Sequence, residues 1–243
     1  GFFVARAGLG ASESMRSKLA EYNDPRLSRA FITKQGTSGK EQAPGTADNA
    51  VYAPNGTPEQ GTSQYGTSLF MYSISAPTLL LSYHELKFLE AEALCRLERD
   101  AKSALKDAVV AGLLNAENSF TISRKELGKT LINAASSITE AEAESYFDNT
   151  IEAKYTAEPL KTTMTQKYFA LWGASGEATE SYNDVRRMKG LGENFIELKN
   201  PNSFPLRCPY GNSDTTTNAE VKAAYGNGQY VYSENVWWAG GSR

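Results

Sequence analysis

Histidine and cysteine are nearly absent from this sequence, which has one histidine, His84, and two cysteines, Cys95 and Cys208, among 243 residues. A structural zinc site needs four nitrogen or sulfur ligands, and a catalytic zinc usually takes two or three histidines. The three residues are too few and too far apart for zinc, thiol or triad chemistry. We therefore expect no metal, no cofactor and no catalytic residues. The composition also excludes a disulfide-dense secreted scaffold.

Neither sign of charge dominates, because 25 Lys and Arg residues face 28 Asp and Glu residues for a formal net charge of −3. No segment accumulates positive charge, so we expect no nucleic-acid partner. No apolar run, Leu79-Leu80-Leu81 included, approaches the about 20 residues that span a membrane. The chain does contain 40% hydrophobic residues and 13 tyrosines, which excludes a disordered chain.

The first residues are Gly1-Phe2-Phe3, without an initiator methionine. Neither the charged segment nor the small-residue cleavage site of a signal peptide follows. We interpret the chain as a fragment or processed form of a longer protein whose N-terminal part is missing. The core formed by these residues is then only part of the core of the whole protein.

Residues 35–72 form a polar stretch that glycines and prolines interrupt repeatedly. Turn residues at this density predict a long loop. Loops of this length in compact domains are usually either functional or disordered. The aromatic residues Tyr52, Tyr65, Phe70 and Tyr72 favour an ordered, loop-rich region.

A helical hairpin is predicted over residues 77–115. Its first helix, predicted over residues 77–97 with Pro77 in the first turn, has two apolar stripes at helical spacing, so we expect it to be buried on two sides. Asp100 is the predicted cap of the second helix. Its small residues are typical of tetratricopeptide-like repeats, which need neighbouring repeats to cover them. The first stripe is Leu79, Tyr83, Leu86, Leu89, Ala93 and Leu97, and the second is Phe88, Ala91 and Cys95.

Further helices are predicted over residues 139–190. The pairs Thr139 with Glu142 and Thr163 with Gln166 both have the spacing of a capping box, so each predicts a helix start. Gly173 is the predicted end of the second of these helices. A last helix is predicted from about residue 177 to residue 188.

Residues 191–243 are predicted to be loop-rich, with one small β-hairpin around Asn227-Gly228. The predicted fold class is therefore mainly α, with long irregular loops and a little β.

An ordered series of short motifs resembles the C-terminal part of a SusD/RagB-type protein, of the SusD-like branch. Each motif is weak alone, but together they span nearly the whole chain in the family's order. The motifs are Asp24-Pro25-Arg26-Leu27, residues 79–93, Gln166-Lys167-Tyr168-Phe169-Ala170-Leu171-Trp172-Gly173, Tyr182-Asn183-Asp184-Val185-Arg186-Arg187, Pro205-Leu206-Arg207-Cys208-Pro209-Tyr210 and Val236-Trp237-Trp238.

This resemblance implies a surface-exposed lipoprotein of the outer membrane that binds oligosaccharide or peptide and is not an enzyme. It implies a tetratricopeptide-like scaffold and delivery of nutrient to a SusC-like TonB-dependent transporter. The lipid anchor would lie in the N-terminal part, outside this chain. All of residues 1–243 would then be the C-terminal part of one SusD-like domain.

Two tyrosines in the loop-rich region are candidate ligand-binding residues. Tyr52 and Tyr65 have amide-bearing neighbours, a composition in which a flat ring covers a sugar face while amides exchange hydrogen bonds with its hydroxyls. An alternative is that these tyrosines only pin the loop to the helices. The candidate set is Tyr52, Tyr65, Asn49, Asn55, Gln64 and Tyr72.

Two other functions compete with nutrient capture. The first is a helical-repeat module that binds a protein partner and no small ligand. The second is a glycosidase that uses Glu85 or Glu92, which share one predicted helix face, although nothing in the sequence supplies the opposite side of a cleft. We interpret His84 as a core residue, and at least one of Trp237 and Trp238 as a packing residue.

Overall fold

Helices dominate the computed structural model, which describes residues 11–35, 40–42, 52–55, 65–127, 135–199 and 203–241. This confirms the predicted fold class. The chain forms two compact units, residues 1–199 and residues 200–243. The helices of the first unit are α1 (Glu13–Glu21), α2 (Tyr83–Arg96), α3 (Lys102–Leu127), α4 (Glu140–Tyr146), α5 (Glu152–Ala157), α6 (Pro159–Leu171) and α7 (Glu180–Gly190).

A small antiparallel sheet lies beside these helices. Its strands are β1 (Phe31–Gln35), β2 (Lys40–Gln42) and β3 (Thr67–Ser68), in the order β2-β1-β3. Thr33 pairs with Gln42 in one ladder, and Phe31 pairs with Ser68 in the other. The predicted loop-rich region therefore contains two short strands, and a 3₁₀ helix follows at Leu69–Tyr72.

The helical hairpin forms from α2 and α3, but α2 begins later than predicted. The Ser82 hydroxyl accepts a hydrogen bond from the Glu85 N–H at 3.1 Å and so caps the helix. Residues before Ser82 pair with another part of the chain instead, since the Leu79 N–H donates to the Ser175 carbonyl at 2.7 Å. The prediction of a helix from Pro77 is therefore wrong, because a tertiary contact competes with the local pattern.

One face of α2 is buried and the other is exposed. Phe88 and Ala91 lie in the core, whereas Leu86 is 51% and Leu97 is 64% exposed. The expectation of burial on two sides is therefore met on one side only within the described residues. The exposed face carries the first of the two apolar stripes.

The predicted cap of α4 is present, because the Thr139 hydroxyl accepts from the Glu142 N–H at 3.2 Å. A π-helical turn, Phe147–Ile151, then connects α4 to α5. Helix α6 begins at Pro159, not near Thr163 as predicted. The Thr163 hydroxyl instead donates to the Pro159 carbonyl at 2.9 Å, inside the helix.

The core of the first unit lies where α2, α3 and α6 meet. Its largest fully buried side chains include Phe88, Phe120 and Phe169. Arg26 joins the segment after α1 to this core: its guanidinium donates to Asp24 in two bonds, at 2.8 and 2.6 Å, and to the Phe169 carbonyl at 2.7 Å. The Asp24-Pro25-Arg26 motif is thus a buried structural anchor.

The second unit contains α8 (Asn212–Thr217), α9 (Ala219–Tyr225) and a 3₁₀ turn at Trp237–Ala239. No strand is present in residues 203–241, so the prediction of a β-hairpin at Asn227-Gly228 is wrong. The Asn218 side chain caps α9 by accepting from Glu220 N–H at 3.0 Å. Among the helices described in either unit, none is long and apolar enough to cross a membrane.

Candidate functional site

The predicted loop site is only partly visible. Tyr52, Asn55, Tyr65 and Tyr72 are described, whereas Asn49 and Gln64 lie outside the described residues. The segment around Tyr52 and Asn55 is bound to the beginning of α1. The Glu13 N–H donates to the Ala53 carbonyl at 3.0 Å, and the Ser12 hydroxyl donates to Asn55 Oδ1 at 2.9 Å.

Tyr52 contributes to packing as well as to the loop surface. Its ring meets Phe31 edge to face, with centroids 5.2 Å apart, and the Arg16 guanidinium lies 5.5 Å from its centroid. The ring is partly buried against the core. Any ligand would therefore meet only the remaining exposed part of Tyr52.

Tyr72 lies deeper than the other candidates and is 6% exposed. It ends the 3₁₀ helix whose Phe70 ring packs 4.7 Å from Phe120 and 5.1 Å from Trp172. Gly173, at φ +79°, lets this ring approach, because a Cβ there would lie 2.4 Å from Phe70. Gly173 also ends α6 as predicted.

A polar cleft of about 430 Å³ opens next to Asn55. Lys18 Nζ donates to the Ser14 hydroxyl at 3.0 Å on one wall, and Lys199 pairs with Glu197 at 2.7 Å on the other. Burial lowers the pKa of Lys18, although Glu197 and Glu21 raise it. The cleft offers hydroxyls, amides and both signs of charge, which are groups that exchange hydrogen bonds with a hydroxyl-rich ligand. Its lining residues are Glu13, Ser14, Ser17, Lys18, Glu21, Asn55, Glu197 and Lys199.

A separate cluster of charges lies where α2, α6 and α7 meet. Lys167, whose side chain is 2% exposed, pairs with Glu85 at 3.0 Å and with Asp184 at 2.8 Å. Burial alone would lower the pKa of Lys167, but its hydrogen bond to Asp184 and the charges of both carboxylates raise it above the ordinary value. Lys167 is therefore a cation at neutral pH.

Glu92 forms the second half of this cluster. It accepts from Arg187 at 2.8 Å and from Arg96 at 2.7 Å, and Arg96 in turn binds Glu193. Burial raises the pKa of Glu92, but the hydrogen bonds from both arginines outweigh burial and lower it. Burial raises the pKa of Glu85 despite Lys167. Because both glutamates already have cationic partners, neither matches the free carboxylate that the glycosidase interpretation requires.

His84 is buried beside Glu177, with 3.7 Å between Nε2 and Oε2. Burial and the charge of Arg26 lower the pKa of His84, while Glu177 raises it. Glu177 also accepts a hydrogen bond from the Ser82 N–H at the beginning of α2. The pair therefore belongs to the interior, as the interpretation of His84 as a core residue expects. Within the described residues, no group of histidine, cysteine and acidic side chains could hold a metal ion.

A family model for SusD-like proteins, described as starch-binding and associating with the outer membrane, matches residues 3–210. The match covers most of the chain. The chain belongs to the SusD-like family.

Solved structures agree with this assignment. A SusD/RagB family protein from Bacteroides thetaiotaomicron VPI-5482 is 64% identical, with a TM-score of 0.88, over 100% of this SusD-like chain and 52% of that protein. An outer-membrane protein from Bacteroides vulgatus ATCC 8482 described in connection with nutrient binding (21% identity, TM-score 0.60) aligns with 92% of this chain and 50% of its own. A SusD homologue from Bacteroides fragilis NCTC 9343 is 19% identical with a TM-score of 0.57, over 90% of this chain and 50% of that protein. These two share the fold.

This SusD-like chain thus spans about half the length of each of these structures. No protein of curated function matches it significantly.

Four of the six motifs that resemble the family hold the helices of the first unit together. Arg26 binds the backbone of α6, Glu85 and Asp184 share Lys167, and Arg187 joins α7 to α2. Arg187 therefore binds the carboxylates of Glu92 and Asp184. Lys167 was missed as a buried cation, although a lysine followed directly by Tyr168-Phe169-Ala170-Leu171 is a signal that could have revealed it.

Aromatic side chains in the second unit form another surface that sequence reasoning set aside. Trp237 and Trp238 pack edge to face with centroids 5.5 Å apart, yet they are 70% and 71% exposed. The sequence leads us to interpret at least one of them as a packing residue; within the described residues the two rings pack on each other, while most of each residue stays exposed. Tyr210 and Tyr225 stack at 4.4 Å, and Arg207 lies 4.6 Å from the Tyr210 centroid.

Proposed function

We propose that the chain is part of a cell-surface lipoprotein of the outer membrane that captures nutrient and delivers it to a SusC-like TonB-dependent transporter. Membership of the SusD-like family, with 64% identity to a SusD/RagB protein, carries this proposal. The ligand is an oligosaccharide or a peptide, and the membrane anchor is an N-terminal lipid outside this chain. No enzymatic step is part of the proposal.

We place ligand contact at the polar cleft and the loop beside it. Asn55 lines the cleft, Tyr52 and Tyr65 are partly exposed, and Tyr72 is nearly buried. Asn49 and Gln64 belong to the same proposed site. A tyrosine face next to amides and hydroxyls suits a sugar ring, because the ring covers apolar C–H groups while the polar groups bind its hydroxyls.

The test is a calorimetric titration of starch oligosaccharides, other glycans and peptides against the chain. Tyr65→Ala is expected to weaken binding at least tenfold and to leave the melting temperature nearly unchanged. Tyr232→Ala, a change at a 50%-exposed tyrosine of the second unit, is the matched control and should leave binding intact. Binding that survives Tyr65→Ala but disappears in Trp237→Ala would move the site to the exposed tryptophan pair.

The exposed apolar face of α2 favours a second candidate function, a helical module that holds a protein partner and no small ligand. Purification from the outer membrane distinguishes the two functions. Copurification with a transporter, without binding of any glycan or peptide, would support the second and contradict the first.

A further inference from the structure

A polar pocket lies on the first unit, between the segment that follows α1 and the end of α4, and is here called the α1–α4 pocket. It has a volume of about 490 Å³, which is within the size range of small-molecule sites. Five uncharged polar side chains line it, and none of them lines the polar cleft next to Asn55. They are Asn23, Ser28, Ser145, Asn149 and Thr150.

Two irregular stretches of backbone contribute to this pocket. The chain leaves α1 through Asn23, whose φ of +49° is the left-handed conformation that asparagine adopts more easily than most residues. Asn149 and Thr150 belong to the π-helical turn Phe147–Ile151. A left-handed residue is an ordinary way to end a helix, but π-helical turns are rare and occur frequently at functional sites. The π-helical turn therefore distinguishes this pocket from the other polar surfaces of the first unit.

The charged residues of the lining already have counterions. The Asp24 carboxylate pairs with Arg26 at 2.6 Å, and Glu142 pairs with Arg29 at 2.9 Å. The Arg29 guanidinium also donates to two backbone carbonyls, at 2.7 and 2.8 Å. A charged ligand would have to displace one of these partners, which leaves a partly buried charge unpaired. The pocket therefore suits an uncharged ligand.

The uncharged residues of the lining offer donors and acceptors together. Asn149 Nδ2 donates to the Ser145 hydroxyl at 2.9 Å. Within the described residues this bond leaves the Asn149 carbonyl oxygen free to accept and the Ser145 hydroxyl hydrogen free to donate, and Asn23 and Thr150 add an amide and a hydroxyl. Leu27 supplies an apolar contact in the same lining. A sugar needs this combination, because each of its hydroxyls both donates and accepts while its C–H groups need an apolar neighbour.

We propose that the α1–α4 pocket is a second ligand-binding site of this chain and that it takes a neutral sugar unit. The ligand is uncharged because each charged residue of the lining is already paired, and it is rich in hydroxyls because the uncharged lining combines donors with acceptors. A peptide fits less well, since the lining comes from helices, a π-helical turn and the segment after α1, and so offers no strand edge to an extended backbone. The inference goes beyond the proposed loop site and does not depend on it, because the two sites share no lining residue.

A nuclear magnetic resonance titration tests the pocket directly. The probes are the neutral disaccharides maltose, cellobiose, lactose and mannobiose, each added at millimolar concentration to the isotope-labelled chain. We expect at least one of them to shift the amide resonances of residues 23–29 and 142–150 in a saturable way. The variant with Asn149→Ala and Thr150→Val removes an amide and a hydroxyl from the pocket and should weaken this binding at least fivefold, with an unchanged melting temperature.

A matched double variant provides the control. Asn118→Ala with Thr156→Val makes the same two chemical changes at exposed residues that do not line the pocket. It should weaken binding less than twofold. An equal loss in both double variants would contradict the assignment of the site.

The same titration separates this site from the proposed ligand site around Asn55. Saturable shifts at residues 23–29 and 142–150 that persist in Tyr65→Ala would support a second site, even if residues 52–55 did not respond to any probe. Failure of every disaccharide to shift residues 23–29 and 142–150 would overturn the proposal, whatever happens at residues 52–55. So would binding that Asn149→Ala with Thr150→Val leaves unchanged, or a pocket that responds to short peptides or sugar acids and to no neutral disaccharide.

Discussion

Loss of the Lys167 cation is expected to destabilise the first unit strongly. Lys167 is almost fully buried between two carboxylates, at 3.0 Å from Glu85 and 2.8 Å from Asp184. Lys167→Met keeps the length and apolar stem of the side chain but leaves the buried carboxylate of Glu85 without its cation, whereas Asp184 keeps Arg187 at 2.7 Å. Removing one partner of a buried ion pair costs about 3–5 kcal/mol. We expect a loss of that size in the free energy of unfolding, measured by urea denaturation followed by circular dichroism at pH 7.

The pH dependence of this loss has a definite sign. Burial raises the pKa of Glu85 even with Lys167 present, and without the lysine it rises further. The folded variant therefore binds more protons than its unfolded chain at mildly acidic pH, so acid stabilises it. The difference between Lys167→Met and the wild type should shrink as the pH falls from 7 to 5.

A lysine on the same helix provides the control. Lys161 pairs with Glu158 one turn away, and both side chains are about half exposed. Exposed pairs of this kind contribute about 0–1 kcal/mol, so Lys161→Met should change stability by less than 1 kcal/mol. Equal losses for the two variants, or a Lys167→Met deficit that grows on acidification, would refute the assignment of a buried ion triad.

Two further predictions concern the beginning of α2. Gly176→Ala should lower the free energy of unfolding by about 1–2 kcal/mol or more in the same assay, because Gly176 has φ +89° and a Cβ would lie 2.1 Å from the Leu79 carbonyl. Gly192 provides the control, since it has φ +77° and a Cβ there would meet no atom within 4 Å. Gly192→Ala therefore measures the backbone strain alone and should destabilise the chain less. His84→Gln should make stability depend less on pH at acidic pH. Because burial lowers the pKa of His84, the unfolded chain takes up a proton first, and the wild type loses stability as the pH falls below about 6.5. An unchanged pH dependence in the variant would contradict this reasoning.

Local signals in the sequence predicted the helix ends that local chemistry decides. The Thr139 cap needs only a hydroxyl and the N–H three residues later, and Gly173 needs only its own tolerance of a positive φ. The beginning of α2 could not be predicted in the same way. It depends on Glu177 and Ser175, about 95 residues along the chain, which bind the backbone of residues 79–82.

The candidate site also has features that the sequence predicts and features that only the folded structure reveals. Composition identified a loop with tyrosines and amides, but it could not show how much of each tyrosine is buried against the core. Phe31 packs edge to face with Tyr52, and Tyr72 is almost entirely buried in the core. Glu197 and Lys199 complete the cleft beside Asn55 from a segment about 140 residues away. A single-sequence pattern contains no signal that joins these segments.

A helix that is apolar on two faces is expected to pack on both, and within the described residues α2 packs on one. The second stripe, with Phe88 and Ala91, is buried in this chain, while the first stripe, from Leu86 to Leu97, remains exposed. Leucine on a solvated helix face gains nothing from packing there, so its recurrence every three or four residues implies a covering element. The buried ion cluster lies just behind that stripe. Covering it would remove water from the carboxylates of Glu85 and Glu177 and make the pairing with Lys167 more important. The stability that Lys167 contributes should therefore be larger when the stripe is covered than when it is exposed.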